Sequence, residues 1–391
     1  MNLAERMKNL GTETAFAVLA KALALEAQGR SIIHLEIGEP DFGTPDHVTE
    51  AAITSLKAGR TRYCPSAGIP ALRKAISAHI GQTRDIEVNP ERVVVTPGAK
   101  PILFFSMLAV VNPGEEVMYP DPGFPIYESV ARFAGAIPVP IPLREEDGFS
   151  LDIDMVERLM GPQTRLVIIN SPHNPTGGVM SKEDLARLAE LCVKNDCMVL
   201  SDEVYSSIVY DGPHRSIVSL PGMVDRVILV DGFSKTFAMT GWRLGYAVAP
   251  EYIATAVTEL MINSCSCTPP FIQDAGVAAL SGSMEPTARM VDEFRRRRDI
   301  VVSRLNSIPG VSCVMPKGAF YAFPNIKATG LDCHTLSDYL LDHGGVAVLP
   351  GTCFGKWGDG HIRISFANSE NNIRQALDIF EECVVKLAQA G

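Results

Sequence analysis

The tightest constraint on this chain is a recurring unit: a short run of β-branched and apolar residues, a loop rich in Pro, Gly, Asn or Asp, then a helix. "RVVVTPGAKPILFFSMLAVV" (92–111) is the clearest copy, with Pro101 in the first turn of its helix, where a missing N–H costs nothing. "EEVMYPDPGFPIYESV" and "RLVIINSPHNPTGG" are strands running into such loops, "CMVLSDEVY" is a strand that ends in acids, and "RVILVDGFSK" completes the set. Unbroken apolar runs of this length belong to strands covered on both faces, as in a parallel sheet flanked by helices. The expected fold class is therefore α/β, with a mostly parallel central sheet in a large unit. "RLGYAVA" adds one more short strand.

Past about residue 280 the pattern changes to a long charged helix followed by "GAFYAFPNI", "VAVLPG" and "HIRISFA" as strands, which reads as a smaller α+β unit. The N-terminal stretch offers a helix, "TAFAVLAKALALEAQG", stopped at Gly29, then a strand in "IIHLEIGEPDFGTP" and a helix from about 46 to 59. The expected division is 46–280 for the large unit, and 1–45 with 281–391 for the small one. A chain of 391 residues with 46% hydrophobic content can fill both cores.

Composition narrows the function classes. A formal charge of −10 argues against a general binder of phosphate backbones, so no nucleic-acid partner is expected. The one basic run, "EFRRRRD" (293–299), reads as a solvated helix face. There is no apolar run of about 18 residues, so no membrane partner is expected. "MNLAERMKNLGTETAF" lacks the apolar core of a secretion signal. Nine scattered cysteines fit a reducing, cytoplasmic setting, and "NSCSCTPP" has C-x-C rather than metal spacing, so no metal is expected.

In an open parallel sheet, ligands sit beyond the carboxyl ends of the strands. The unusual polar residues all fall there: Gly98-Ala99-Lys100, Asn170 to Asn174, Asp202 and Lys235. Gly98 and Ala99 precede a helix, whose free N–H groups and dipole suit an anion such as phosphate. Lys100 in that first turn opposes the dipole and makes sense if another anion lies nearby. Asn174, between two prolines, is an amide on a stiff loop. Asp202 ends an apolar strand and needs a cationic partner, unless it caps a following helix. Lys235, at the end of another, is a nucleophile if burial depresses its pKa. Arg243 lies eight positions on and adds an anion clamp. Amine, acid, phosphate cradle and arginine together describe a site for a phosphorylated aldehyde cofactor.

Five motifs in order, "YCPSAGIPALR", "NSPHNPTG", "SDEVY", "SKTFAMTGWRLGY" and "IRISFA", make the chain resemble the class I/II aminotransferases of the aspartate aminotransferase superfamily, over nearly its full length. The resemblance implies fold type I and pyridoxal 5′-phosphate as cofactor, with Lys235 as its Schiff-base lysine. It further implies that Asp202 pairs with the pyridine nitrogen, that Tyr205 and Asn174 bond the ring oxygen, and that Phe124 stacks on the ring. Arg243, Ser234 and the Gly98–Lys100 backbone would hold the phosphate, and Tyr63 would reach the phosphate of a neighbouring subunit in a homodimer. Arg363, Asn174 and the Gly38 backbone would bind the substrate α-carboxylate, a task for which a guanidinium is well shaped. The implied reaction moves an amino group from an L-amino acid to a 2-oxo acid, Lys235 carrying the proton. Many relatives have serine three positions before the lysine; Gly232 stands there, so one phosphate contact is missing or replaced.

The substrate side chain is less constrained. Lys100 resembles a lysine that reads a second carboxylate, which leans the reading toward aspartate or glutamate. Glu13 in "GTETAF" would oppose that, either by repelling a dicarboxylate or by pairing with Lys100; it could instead attract a basic substrate or cap the first helix. Basic, neutral and aromatic donors stay open. A lyase or synthase of the same fold would carry much the same residues. A non-catalytic cofactor-binding regulator is disfavoured by the intact Lys235, Asp202 and Arg363, by the negative charge, and by the short stretch before the first strand.

Overall fold

The computed structural model describes residues 3–11 and 13–390. Its strands begin with β1 (Ile33–His34), β2 (Val93–Thr96), β3 (Glu116–Asp121) and β4 (Ile137–Pro142). Next come β5 (Thr164–Asn170), β6 (Met198–Asp202), β7 (Val227–Gly232) and β8 (Gly245–Val248). The short β9 (Tyr321–Ala322), β10 (Val346–Ala347), β11 (Leu349–Pro350) and β12 (Ile362–Ser365) follow. Strands β2 to β8 form one sheet in the order β2-β8-β7-β6-β5-β3-β4. The pairs from β4 through β7 are parallel, whereas β8 runs antiparallel to both β7 and β2.

Successive residues of each central strand feed two different cores, which is why these strands read as unbroken apolar runs. Val167, Ile169, Val199 and Leu229 face one core; Leu166, Ile168, Leu200 and Ile228 face the other. After α1 (Thr14–Glu26) and α2 (Asp46–Lys57), α3 (Pro70–Arg84) covers the first face with Leu72, Ile76 and Ile80. On the second face α4 (Lys100–Val110) lays Ile102 and Leu103, and α5 (Ile126–Phe133) lays Tyr127 and Val130. The register aligns the strand ends, with Asn170 opposite Asp202 and Asp202 opposite Val230.

The N-terminal segment is built into the C-terminal part. Strand β1 pairs parallel with β10, Ile33 opposite Val346, and the Ser365 N–H donates to the Leu35 carbonyl at 2.8 Å. Strand β12 lies between β11 and β9. Ile33, Leu35, Phe294, Phe320, Ile364 and Phe380 share one core.

The basic run departs from expectation. Arg297 and Arg298 are only 6% and 7% exposed. Arg297 meets Asp41 at 2.7 Å and Glu293 at 2.8 Å, and Arg298 lies 4.6 Å from the Tyr210 ring centre. At about 100° per residue, four consecutive positions on a helix must point in different directions. Two of them turn inward, where carboxylates and aromatic rings compensate the buried guanidinium. Among the described residues, no helix is long and apolar enough to cross a membrane.

Candidate active site

A cavity of about 460 Å³ opens at the carboxyl ends of β5, β6 and β7. Of the residues singled out from the sequence, Glu13, Gly38, Ala99, Lys100, Phe124, Asn174, Asp202, Tyr205, Ser234, Lys235, Arg243 and Arg363 all line it. Gly98 is not among the lining residues but packs against Arg243, which is. Tyr63 is 88% exposed and does not line the cavity of its own chain.

Lys235 sits in the helical turn Phe233–Thr236 that ends β7. Its ammonium donates to the Gly38 carbonyl and lies 5.8 Å from the ring centres of Tyr205 and Phe320. Burial pulls its pKa down to about 8, opposed by Glu39 and reinforced by Arg363 and Arg243. The amine is therefore far easier to deprotonate than a solvated lysine.

Asp202 is 5% exposed. One carboxylate oxygen accepts from the Tyr127 hydroxyl at 2.7 Å, the other from the Val204 N–H at 3.4 Å. Burial raises its pKa to about 6 against the pull of these two donors. No helix begins after it, since residues 204–207 form a turn, so the helix-cap alternative does not hold. Both donors are neutral, which leaves the acid facing the cavity in want of a cation.

Arg363, on β12, donates to Asn174 Oδ1 at 3.2 Å and to the Glu36 carbonyl, with its guanidinium 4.7 Å from the Tyr321 ring centre and 4.9 Å from that of Phe354. Its buried Nε has no partner among the described residues. Asn174 is fixed through its N–H, which donates to Asn170 Oδ1 at 2.9 Å. The Tyr205 hydroxyl meets that of Tyr321 at 2.7 Å.

At the other end, Gly98 has φ +85°, and a Cβ there would collide with the Arg243 guanidinium. Only glycine lets the arginine lie against this turn at the N-terminus of α4. The departure at Gly232 also has a reason: a Cβ would stand 3.2 Å from Gly245 Cα and from the Leu244 carbonyl, where β7 and β8 pack closely. Ser234 is half-buried beside them.

Lys100 has the anion its position asks for. It forms an ion pair with Glu13, and its ammonium lies 5.5 Å from the Phe16 ring centre and 5.7 Å from that of Phe124. Glu13 immediately precedes α1, yet its side chain makes no cap bond to that helix.

Sequence reasoning missed Tyr127, Tyr321 and Glu39, all of which line the cavity. Tyr127 carried a faint signal, a phenol within an apolar helix start after "DPGFP". Tyr321 had none, lying in the uniformly apolar "GAFYAF", whereas Glu39 adjoins Gly38 in "IGEPDFG" and could have been found with it.

The residues fit pyridoxal phosphate. The glycine cradle against Arg243 at a helix N-terminus suits a phosphate, the buried acid suits a protonated ring nitrogen, and the softened amine suits an aldehyde. A doubly covered, mostly parallel sheet with this set at its strand ends defines a fold type I enzyme that works on amino acids through pyridoxal phosphate. Residues 30–380 match the family model for aminotransferase class I and II. An aromatic-amino-acid aminotransferase of Thermococcus litoralis is 42% identical, covering 91% of this chain and 92% of that protein. The arginine–pyruvate transaminase AruH of Pseudomonas aeruginosa is 39% identical, covering 95% of each. The solved aspartate aminotransferase of Thermus thermophilus with maleate superposes with a TM-score of 0.93 at 38% identity, over 98% of this chain and all of that one. The chain belongs to the class I and II aminotransferases. It is a pyridoxal-phosphate-dependent transaminase, and its substrates are amino acids and 2-oxo acids.

Proposed function

We propose that Lys235 carries the amino transfer from an L-amino acid to a 2-oxo acid, holding the cofactor through its side-chain nitrogen and then acting as the base. The backbone of Gly98, Ala99 and Lys100 would hold the phosphate, with Ser234 and Arg243. Asp202 would face the ring nitrogen, Asn174 and Tyr205 the ring hydroxyl, and Phe124 the ring itself. When bound, pyridoxal phosphate supplies an electron sink for the pair left on the substrate's Cα.

The chain's own residues do the rest. Arg363, held by Asn174 and the Glu36 carbonyl, orients the substrate by its α-carboxylate, alongside the Gly38 backbone. Lys235, as a free amine, takes the proton from Cα; a pKa of about 8 lets it accept one near neutral pH and give it back. Asp202, kept ionised by Tyr127 and the Val204 N–H, holds the proton on the ring nitrogen.

The observation that carries this reading is the softened Lys235 amine in one cavity with Asp202 and Arg363. Lys235→Ala should lower transaminase turnover by about a thousandfold or more, measured by coupled assay. Full turnover in that variant would overturn the reading.

The partner-subunit role of Tyr63 and the homodimer belong to the same proposal, supported by the 88% exposure of that ring. The division into 46–280 and 1–45 with 281–391, of which residues 1, 2, 12 and 391 lie outside the described ones, is supported by the pairing of β1 with β10. A cytoplasmic setting is supported by nine free cysteines. For the substrate side chain, the relatives point to aspartate, aromatic residues and arginine. The lean toward aspartate or glutamate needs a free Lys100.

A further inference from the structure

We infer that Glu13 is the specificity-determining residue of this site. By holding Lys100 it makes the side-chain end of the cavity electrically neutral, so the enzyme favours donors with apolar or aromatic side chains over dicarboxylic ones. The inference rests on the transamination reading only for which molecules enter.

Two observations on Glu13 carry it. Its position invites a bond to the free N–H groups of α1, yet the side chain makes none and turns to Lys100 instead. The carboxylate is also largely buried, with 13% side-chain exposure against 43% for Lys100. The pair therefore forms part of the cavity wall. Lys100 opens α4, where its charge opposes the helix dipole, so Glu13 relieves a local conflict that would otherwise draw in an anionic substrate.

Apolar groups also line the cavity, among them Ala15, Leu103, and Phe16 and Phe124, whose rings lie against Lys100. A second substrate carboxylate would either share Lys100 with Glu13, placing two like charges side by side, or displace Glu13 and leave a largely buried acid without its counter-ion. A guanidinium would likewise share Glu13 with Lys100, two cations on one carboxylate, or strip it from Lys100, with the same penalty in reverse sign. A carbon side chain disturbs neither group and packs against the rings of Phe16 and Phe124. Discrimination here works by what a wrong substrate would leave unpaired.

Succinate, a dicarboxylate with no amino group to transfer, is the direct probe. It is titrated by calorimetry into the holoenzyme and into its Glu13→Gln variant, which keeps the shape and removes the charge. Binding should tighten about five- to tenfold in the variant, and the ratio of kcat/KM for aspartate to that for phenylalanine should rise by a similar factor. In Lys100→Met, where Glu13 is uncompensated, the ratio of arginine to aspartate should rise instead. Unchanged or weaker succinate binding by Glu13→Gln would overturn the inference, as would a wild-type enzyme that prefers aspartate to phenylalanine. Succinate is not turned over, so the two readings separate. Tighter succinate binding with no turnover of any donor would uphold the role of Glu13 and overturn transamination through Lys235.

Discussion

Asp202 loses its hydration on folding and receives two neutral donors in return, so its pKa rises from 3.8 to about 6. A folded-state pKa above the unfolded one means that this group's stabilising contribution is complete below about pH 4 and is lost as pH rises through about 6. Above that, the ionised acid costs on the order of 3 kcal/mol, at 1.36 kcal/mol per unit. Asp202→Asn in the cofactor-free protein should therefore melt at a higher temperature than wild type at pH 8, with the gap closing toward pH 4. Turnover of the loaded variant should meanwhile fall by about a hundredfold or more, since under the proposed role the ring nitrogen would lose its charged partner. Tyr127→Phe tests the same acid from the other side. Removing the 2.7 Å donor should raise the pKa of Asp202 further in the cofactor-free protein, moving the pH dependence of its Tm upward, and should lower turnover of the loaded enzyme about tenfold. A pH dependence of Tm unchanged by Tyr127→Phe would detach Tyr127 from the charge state of Asp202.

Among the elements, the helix Glu285–Leu305 ties the N-terminal segment to the C-terminal part through Arg297, which touches Asp41 on one side and Glu293 on the other and lies 5.2 Å from the Phe42 ring centre. Arg297→Ala should destabilise by about 1–3 kcal/mol, since each acid keeps partial access to solvent, and should lower Tm by a few degrees. Arg296→Ala, at an exposed site, should change Tm little. From the sequence these neighbouring arginines were indistinguishable, because their difference comes from the N-terminal loop that folds over one of them. The same distinction runs through the site. Asn174, Asp202 and Lys235 were legible because each ends a local strand signal, and strand ends in a parallel sheet converge. Tyr321 was not, since "GAFYAF" is apolar throughout and has no alternation to say which way a side chain points. The buried group of Arg84, Glu203 and Asp231 beneath the strand ends was equally hidden, its partners lying more than a hundred residues apart. There Arg84 overcomes burial to hold Glu203 down at about 2, while burial prevails at Asp231 and lifts it to about 7.

For the whole molecule, the question is whether one chain completes its own site. Tyr63 projects into solvent at 88% exposure and does not line the cavity of its own chain, and aromatic rings are enriched on surfaces that meet a partner. If it serves the neighbour's phosphate end, the two active sites of a two-fold dimer each draw on both chains. Complementation separates this from a merely structural role. Tyr63→Ala and Lys235→Ala chains, unfolded together and refolded at equal ratio, should form about half mixed dimers by random pairing. In a mixed dimer one site receives Lys235 from the first chain and Tyr63 from the second, and so is intact; the other lacks both. About a quarter of all sites would then work at the wild-type rate, above the average of the two pure variants measured alone. Were Tyr63 to act only within its own chain, no mixed dimer could hold an intact site, and the mixture would show no more than that average. Recovery would also require that cofactor affinity return with activity, because Tyr63→Ala removes a hydroxyl that would bond the phosphate; spectral titration of the mixture with pyridoxal phosphate checks this separately from turnover.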